Sequence, residues 1–147
     1  MTSAKTPPET ILCVHQGYEL YGSDRVFLQS VRALKEQYPD ADITVHLPQE
    51  GVLVEAIERL NVSVLIAPIW VLRKANIRLS RFPKAFCIFK RLWQAWRRIG
   101  QYDLVLVNSL VVADYLIALI ARRQKALVHI HEIPPLPTLF SLLMTLN

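Results

Sequence analysis

Asp103 to His131 reads DLVLVNSLVVADYLIALIARRQKALVHIH, and the way this stretch is divided decides the fold. Taken whole, Leu104 to Ala121 approaches the length of a membrane span, but Asn108, Ser109 and Asp114 interrupt it, and a carboxylate in mid-bilayer is costly. Divided at Asn108, it becomes a short apolar strand from Asp103 to Asn108, a helix capped by Ser109 that runs to Arg122 and Arg123, and another strand from Ala126 to His131. The two arginines suit the negative end of a helix dipole. The division predicts a β-α-β unit.

Toward the amino terminus the same alternation recurs. Thr10 to His15 (TILCVH) reads as a first strand that ends at a glycine-containing loop, Gln16 to Ser23. A helix capped by Ser23 follows, with Val26, Phe27, Ser30, Val31 and Leu34 at helical spacing and a stop at Pro39. Asp42 to Leu47 is a second strand, Val52 to Leu60 a short helix that Asn61 terminates, and Val62 to Ala67 a third strand. A basic connection then leads to a helix from Pro83 to Ile99. Strands apolar on both faces, alternating with helices, imply a parallel sheet covered on each side through right-handed crossovers. The expected class is α/β: a Rossmann-like, doubly wound parallel sheet of about five strands in the order 3-2-1-4-5.

With 147 residues, 52% of them hydrophobic and 20% charged, the chain has the size and composition of one domain with its own core. Residues 1–9 read as a flexible amino terminus without a secretory signal. Cys13 and Cys87 are far apart and form no C-x-x-C pair, so neither a disulfide nor a zinc motif is expected, and a reducing, cytoplasmic setting fits. From Ile133 to Asn147 no side chain is charged, and residues 135–147 read as a truncated segment where a fifth helix begins.

The net charge of +5 is unevenly placed: Asn61 to Tyr102 holds nine Lys or Arg and no Asp or Glu. Such a block suits a surface that meets phosphates. On a wheel of the Pro83–Ile99 helix, Phe86, Ile88, Phe89, Leu92, Trp93, Trp96 and Ile99 fill one half, and Lys84, Lys90, Arg91, Arg97 and Arg98 the other. Lys84, Lys90, Arg91, Trp93, Arg97 and Arg98 are the expected contact with an anionic membrane surface, through an edge at Phe86 and Trp93 next to Lys90 and Arg97; an ordinary core helix with inward Trp is the plain alternative. No nucleic-acid-binding motif accompanies the charge, so no nucleic acid partner is expected.

Polar groups of interest fall at strand ends, the ligand edge of such a sheet: His15 and its loop, Asn108 with Ser109, and His131 with Glu132. The loop HQGYELYGSDR lacks G-x-G-x-x-G, which argues against a bound dinucleotide. Gly22, just before a helix, permits a phosphate to approach the backbone, although Gly17 and Gly22 are equally explained as turn residues. His129 and His131 share a strand face beside Glu132, but nothing completes a coordination shell, so no metal and no cofactor is expected. His129 reads as a packed histidine and His131 as the one that touches substrate. No Ser-His-Asp or Cys-His arrangement is recognisable, which disfavours a hydrolase.

Four segments in order resemble the amino-terminal domain of family 4-type glycosyltransferases with the GT-B architecture. HQGYELYGSDRVFLQSVRAL is similar to that family's first strand end, glycine loop and first helix, and ITVHLPQEGVLVEAIERLNVSVLIAP to its second strand, short helix and third strand. YDLVLVNSLVVADYLIALIARR and VHIHEIP resemble its fourth strand with the Asn-Ser turn and following helix, and the His-Glu end of its fifth strand. The similarity runs from about Ile11 to Pro134. The resemblance implies one wall of a cleft that takes a sugar or lipid-linked acceptor, facing a second domain that binds a nucleotide-sugar donor. It implies that His131 and Glu132 lie near the transferred sugar as the catalytic pair, and that Gly22 lies near the donor diphosphate. Gly17, Ser23, Asn108 and Ser109 complete the implied substrate-binding edge. The family's carboxyl-terminal nucleotide-binding domain, with its E-x7-E motif, has no counterpart before Asn147, so the chain reads as an incomplete GT-B amino-terminal domain, inactive alone. The expected function is the acceptor side of a sugar transferase, cytoplasmic and peripheral at a membrane's inner face. The alternative is a non-catalytic Rossmann-like module that binds a partner or an anionic membrane.

Overall fold

The computed structural model describes residues 6–71 and 83–130, without the side chains of 83–86. Five strands and four helices alternate among them: β1 (Thr10–Val14), α1 (Gly22–Gln37), β2 (Asp42–Leu47), α2 (Val52–Glu58), β3 (Ser63–Ile66), α3 (Pro83–Ile99), β4 (Leu104–Val107), α4 (Ala113–Arg122) and β5 (Ala126–Val128). All five strands are parallel in the order β3-β2-β1-β4-β5, as the sequence predicts.

The order dictates which face each helix covers. Right-handed crossovers that step outward from β1 to β2 to β3 put their helices on one face; stepping back past β1 to β4 and on to β5 puts theirs on the other. The core is divided accordingly. Ile11 and Cys13 of β1, with Ile43 and Val45 of β2, pack on Phe27 and Val31 of α1 and on Leu53 and Ile57 of α2. Leu12 and Val14, with Val105 and Val107 of β4, pack on Ala95 and Ile99 of α3 and on Tyr115 and Leu119 of α4. Consecutive β1 residues thus serve opposite layers, which is why TILCV is apolar throughout. Burial pushes the Cys13 thiol up to about 12, so it stays protonated and acts as a small core residue.

Several element ends differ from expectation. Tyr21, not Ser23, is the N-cap of α1, and Gly22 is the first helical residue. Asp24 does the capping from inside the first turn, accepting the Tyr21 N–H at 3.2 Å on Oδ2. Ser109 does not cap α4, whose N-cap is Val112; its Oγ accepts the Val111 N–H at 3.2 Å in a side-chain turn. His129 is exposed and lies beyond β5, so it is not a packed histidine, although its N–H still donates to Val107 O at 2.9 Å. Asn61 takes the left-handed conformation (φ 54°) that ends the α2 turn, as expected.

The wheel of α3 is turned relative to the sequence reading. Ala95 and Ile99 face the core, while Phe89, Trp93 and Trp96 are 69%, 48% and 43% exposed. Arg98 leaves the outward cations and reaches inward to Tyr115 Oη at 2.9 Å. The reason is geometric: Arg98 stands three positions from Ala95, on the edge of its face, and its long stem can follow the core while the guanidinium meets a hydroxyl.

Phe27 is fully buried and Phe89 is not. Phe27→Ala is expected to cost about 3–5 kcal/mol and Phe89→Ala under about 1 kcal/mol in urea unfolding, and equal losses would contradict this core.

Candidate functional site

The sheet reverses its winding between β1 and β4, and their carboxyl ends open the crevice in which such sheets bind ligands. His15 and Asn108 are the first residues past these two strands, and both are fully buried. The Asn108 N–H donates to Val14 O at 3.0 Å and the His15 N–H to His46 O at 3.2 Å, so the ladder continues one residue past the strands.

The side chains there form one polar chain. The Asn108 amide Nδ2 donates to His15 Nδ1 at 3.0 Å and to the Ser23 carbonyl at 3.5 Å. With Nδ1 the acceptor, the imidazole proton sits on Nε2, which donates to Asp24 Oδ1 at 2.8 Å. Asp24 Oδ2 accepts from the Leu20 N–H at 2.9 Å and from Tyr21 N–H. The His15 ring stacks on Phe27 at 4.6 Å, which fixes its plane. Burial pushes the Asp24 carboxyl upward, but the His15 bond and the two backbone N–H groups outweigh it and hold the group below the usual carboxylate range.

Two residues on this rim are held in the left-handed half of backbone space, Leu20 at φ 85° and Ser109 at φ 148°. Neither is glycine, and each such residue costs about 1–3 kcal/mol, a cost that persists only where the surroundings over-determine the conformation. The Asp24 bond to Leu20 N–H and the anchored Asn108 before Ser109 are those surroundings.

The expected site residues separate into groups. Asn108 bonds to the Ser23 carbonyl at the crevice, and Ser109 follows it in the turn after β4. Gly17 is there for packing: a Cβ on it would overlap the Asp24 carboxylate and the His15 ring, so its role is to let the loop close over that pair. Around Gly22 a Cβ would meet nothing within 4 Å, which leaves the first turn of α1 open to a ligand. His131, Glu132 and the Lys84 side chain lie outside the described residues. Lys90, Trp93 and Arg97 sit on the outer side of α3, with the Arg97 guanidinium 4.9 Å from the Trp93 ring centre, whereas Arg91 is half-buried. Among the described residues no cluster of three His, Cys, Asp or Glu could hold a metal ion, and no helix is long and apolar enough to cross a membrane.

Sequence reasoning missed three participants. Asp24 looks like an ordinary first-turn acid, although its spacing of three from Tyr21 is a capping signal. Gln16 follows His15 at the same rim, and its side-chain Oε1 is buried without a hydrogen-bond partner among the described residues. A buried acceptor left unpaired costs about 1–3 kcal/mol and needs a reason to be there. The third is a polar chain on the opposite face: His46 Nδ1 accepts from Tyr115 Oη at 2.6 Å, and His46 Nε2 donates to Ala67 O at 3.0 Å. Burial and the nearby Arg98 cation push His46 down to about 4. Burial raises the neighbouring Asp114 carboxyl, which accepts the Trp70 N–H at 3.0 Å and ties the segment after β3 to the start of α4.

No protein-family model and no curated protein matches this chain. Solved structures do share its fold. MurG of Acinetobacter baumannii superposes with a TM-score of 0.62 at 15% identity, over 96% of this chain and 40% of MurG. A glycosyltransferase from Rickettsia africae superposes with a TM-score of 0.57 at 18% identity, over 89% of this chain and 32% of that protein. The chain spans less than half of either, and the likeness is one of fold: an α/β domain with a five-stranded parallel sheet.

Two outcomes test the site. Gly17→Ala is expected to lose on the order of 2 kcal/mol while Gly22→Ala stays within about 0.5 kcal/mol of the parent. Because His46 is held neutral when folded, the unfolded chain takes up a proton first as pH falls. Stability is expected to fall from about pH 6.5 to about pH 4 by on the order of 3 kcal/mol, and His46→Gln to flatten that window in pH-dependent unfolding.

Proposed function

We propose that this chain is the acceptor-side domain of a glycosyltransferase of the GT-B type. What carries the reading is the strained, hydrogen-bonded rim at the β1–β4 crevice, on a fold shared with MurG and a second glycosyltransferase. In this reading Gly22 and Ser23 at the open first turn of α1 approach the diphosphate of a nucleotide-sugar donor, since free N–H groups and the helix dipole favour an anion there. Asn108 and Ser109 line the acceptor side. His131 and Glu132 act as the catalytic pair, and the donor's base is held by a second, nucleotide-binding domain. The chain works in the cytoplasm.

The acceptor in this reading is membrane-associated, and α3 is the surface that meets the bilayer. The outer groove between α3 and α4 is apolar, lined by Phe89, Trp93 and Trp96 on one side and Ile117 and Ala121 on the other, with the Arg97 guanidinium against Trp93 and Lys90 exposed on the same helix. Exposed aromatic rings beside cations insert at a headgroup boundary while the charges meet anionic lipid.

Titration with nucleoside diphosphate sugars, followed by amide NMR, is expected to move Gly22, Ser23 and Ser109, with pyrophosphate competing at Gly22. A rim that none of them moves would leave the non-catalytic binding module instead. In sedimentation with vesicles of anionic lipid, the combined variant Lys90→Ala, Trp93→Ala and Arg97→Ala is expected to bind at least about 30-fold more weakly, from about 1 kcal/mol per cation. Unchanged binding would remove the bilayer from this reading.

A further inference from the structure

Gln16 is the one described residue whose side chain carries a buried oxygen with no partner, and it stands at the crevice itself. The chain order places it: Val14 pairs with Val107, Asn108 bonds to His15, and Gln16 and Ser109 are the next residues on the two chains that leave β1 and β4. Ser109 is buried and held at φ 148°, and its Oγ, by accepting the Val111 N–H, keeps its own hydroxyl hydrogen for another acceptor. An unpaired acceptor and an uncommitted donor therefore follow the buried His15–Asn108 contact on the two chains, at the point where the winding reverses.

We propose that Gln16 and Ser109 together form a binding subsite for the hydroxyl groups of a saccharide, a specificity built into the acceptor side of the reading above and resting on it. The chemistry selects the ligand class. A carbonyl oxygen needs a donor, which a phosphate dianion does not offer and a sugar hydroxyl does. The hydroxyl also answers if the amide is turned over, because it accepts as readily as it donates, so the class of ligand does not depend on which end of the amide is inward. Vicinal hydroxyls on one ring can satisfy Gln16 and Ser109 at once. Asn108, just before Ser109, is already committed to His15 and Ser23, so Gln16 supplies the amide that the bound ring meets.

A residue kept for a ligand differs from one kept for the fold in what its removal does to stability. The probe is methyl glucoside, with inorganic phosphate as the comparison, titrated into the full chain while the Gln16 side-chain amide signal is followed by NMR. The glucoside is expected to shift that signal and phosphate to leave it in place. Gln16→Leu, which keeps the volume and removes the unpaired oxygen, is expected to bind the glucoside roughly tenfold more weakly without a lower melting temperature. A lowered melting temperature would assign Gln16 to the fold, and a signal unmoved by the glucoside, or moved by phosphate instead, would equally overturn the subsite. Failure of the transferase reading looks different: the glucoside still moves Gln16, while nucleoside diphosphate sugars leave Gly22 and Ser23 unmoved.

Discussion

The rim depends on a buried imidazole held between a carboxylate and an amide. Where the winding reverses, the chain after β1 leads to α1 on one face, and the chain after β4 leads to α4 on the other. The polar groups at this point are buried, so they must find partners among one another. His15 does this with both ring nitrogens, accepting a hydrogen bond from the Asn108 amide and donating one to the Asp24 carboxylate. The pair is worth keeping only because every member is satisfied; a half-paired version would be costlier than an apolar plug of the same shape. Through it the start of α1 and the turn after β4 become one rigid unit.

Rigidity at this point is what permits the strain beside it. Leu20 and Ser109 occupy backbone conformations that a free loop would leave at once, and both adjoin a member of the polar chain. The layers behind them supply the stability: fully buried Ile11, Leu12, Cys13 and Val14 anchor the strand that ends in His15. The division of labour is that of many α/β domains, with regular packing in the sheet and irregular, hydrogen-bonded geometry along its carboxyl rim.

The sheet was legible in the sequence because its signals are local. Short apolar runs such as DITVHL, bounded by turn residues, mark strands whatever packs on them, and the wheel of α3 with Pro83 at its start marks a helix of the right extent. What was not legible depends on partners distant in sequence. Ser23 and Ser109 look like caps from their neighbours alone, but Tyr21 and Val112 occupy the cap positions, because the loops before α1 and α4 are tied to Asp24 and to Trp70. Gly17 reads as a turn glycine, whereas its need for a missing Cβ comes from Asp24, seven residues away. Arg98 groups with the surface cations by charge, and only the position of Tyr115 on α4 draws it inward.

The His15 and His46 polar chains are placed on opposite faces and do different work. The His15 chain joins two loops at the rim and, through Asp24, holds the start of α1. The His46 chain joins β2, α3 and α4 through Tyr115 and Arg98, and so fixes how the helix layer carrying the exposed aromatic edge sits on the sheet. Their charge states separate them further, since Asp24 is held ionised by its partners and His46 is held neutral by burial and by Arg98. Acid therefore acts on the α3–α4 attachment before it acts on the rim: the His46 site takes up its proton near pH 4, while the Asp24 carboxylate persists below the ordinary range of its kind. The outer helix layer can thus loosen through His46 while the His15–Asp24 pair at the crevice is still intact.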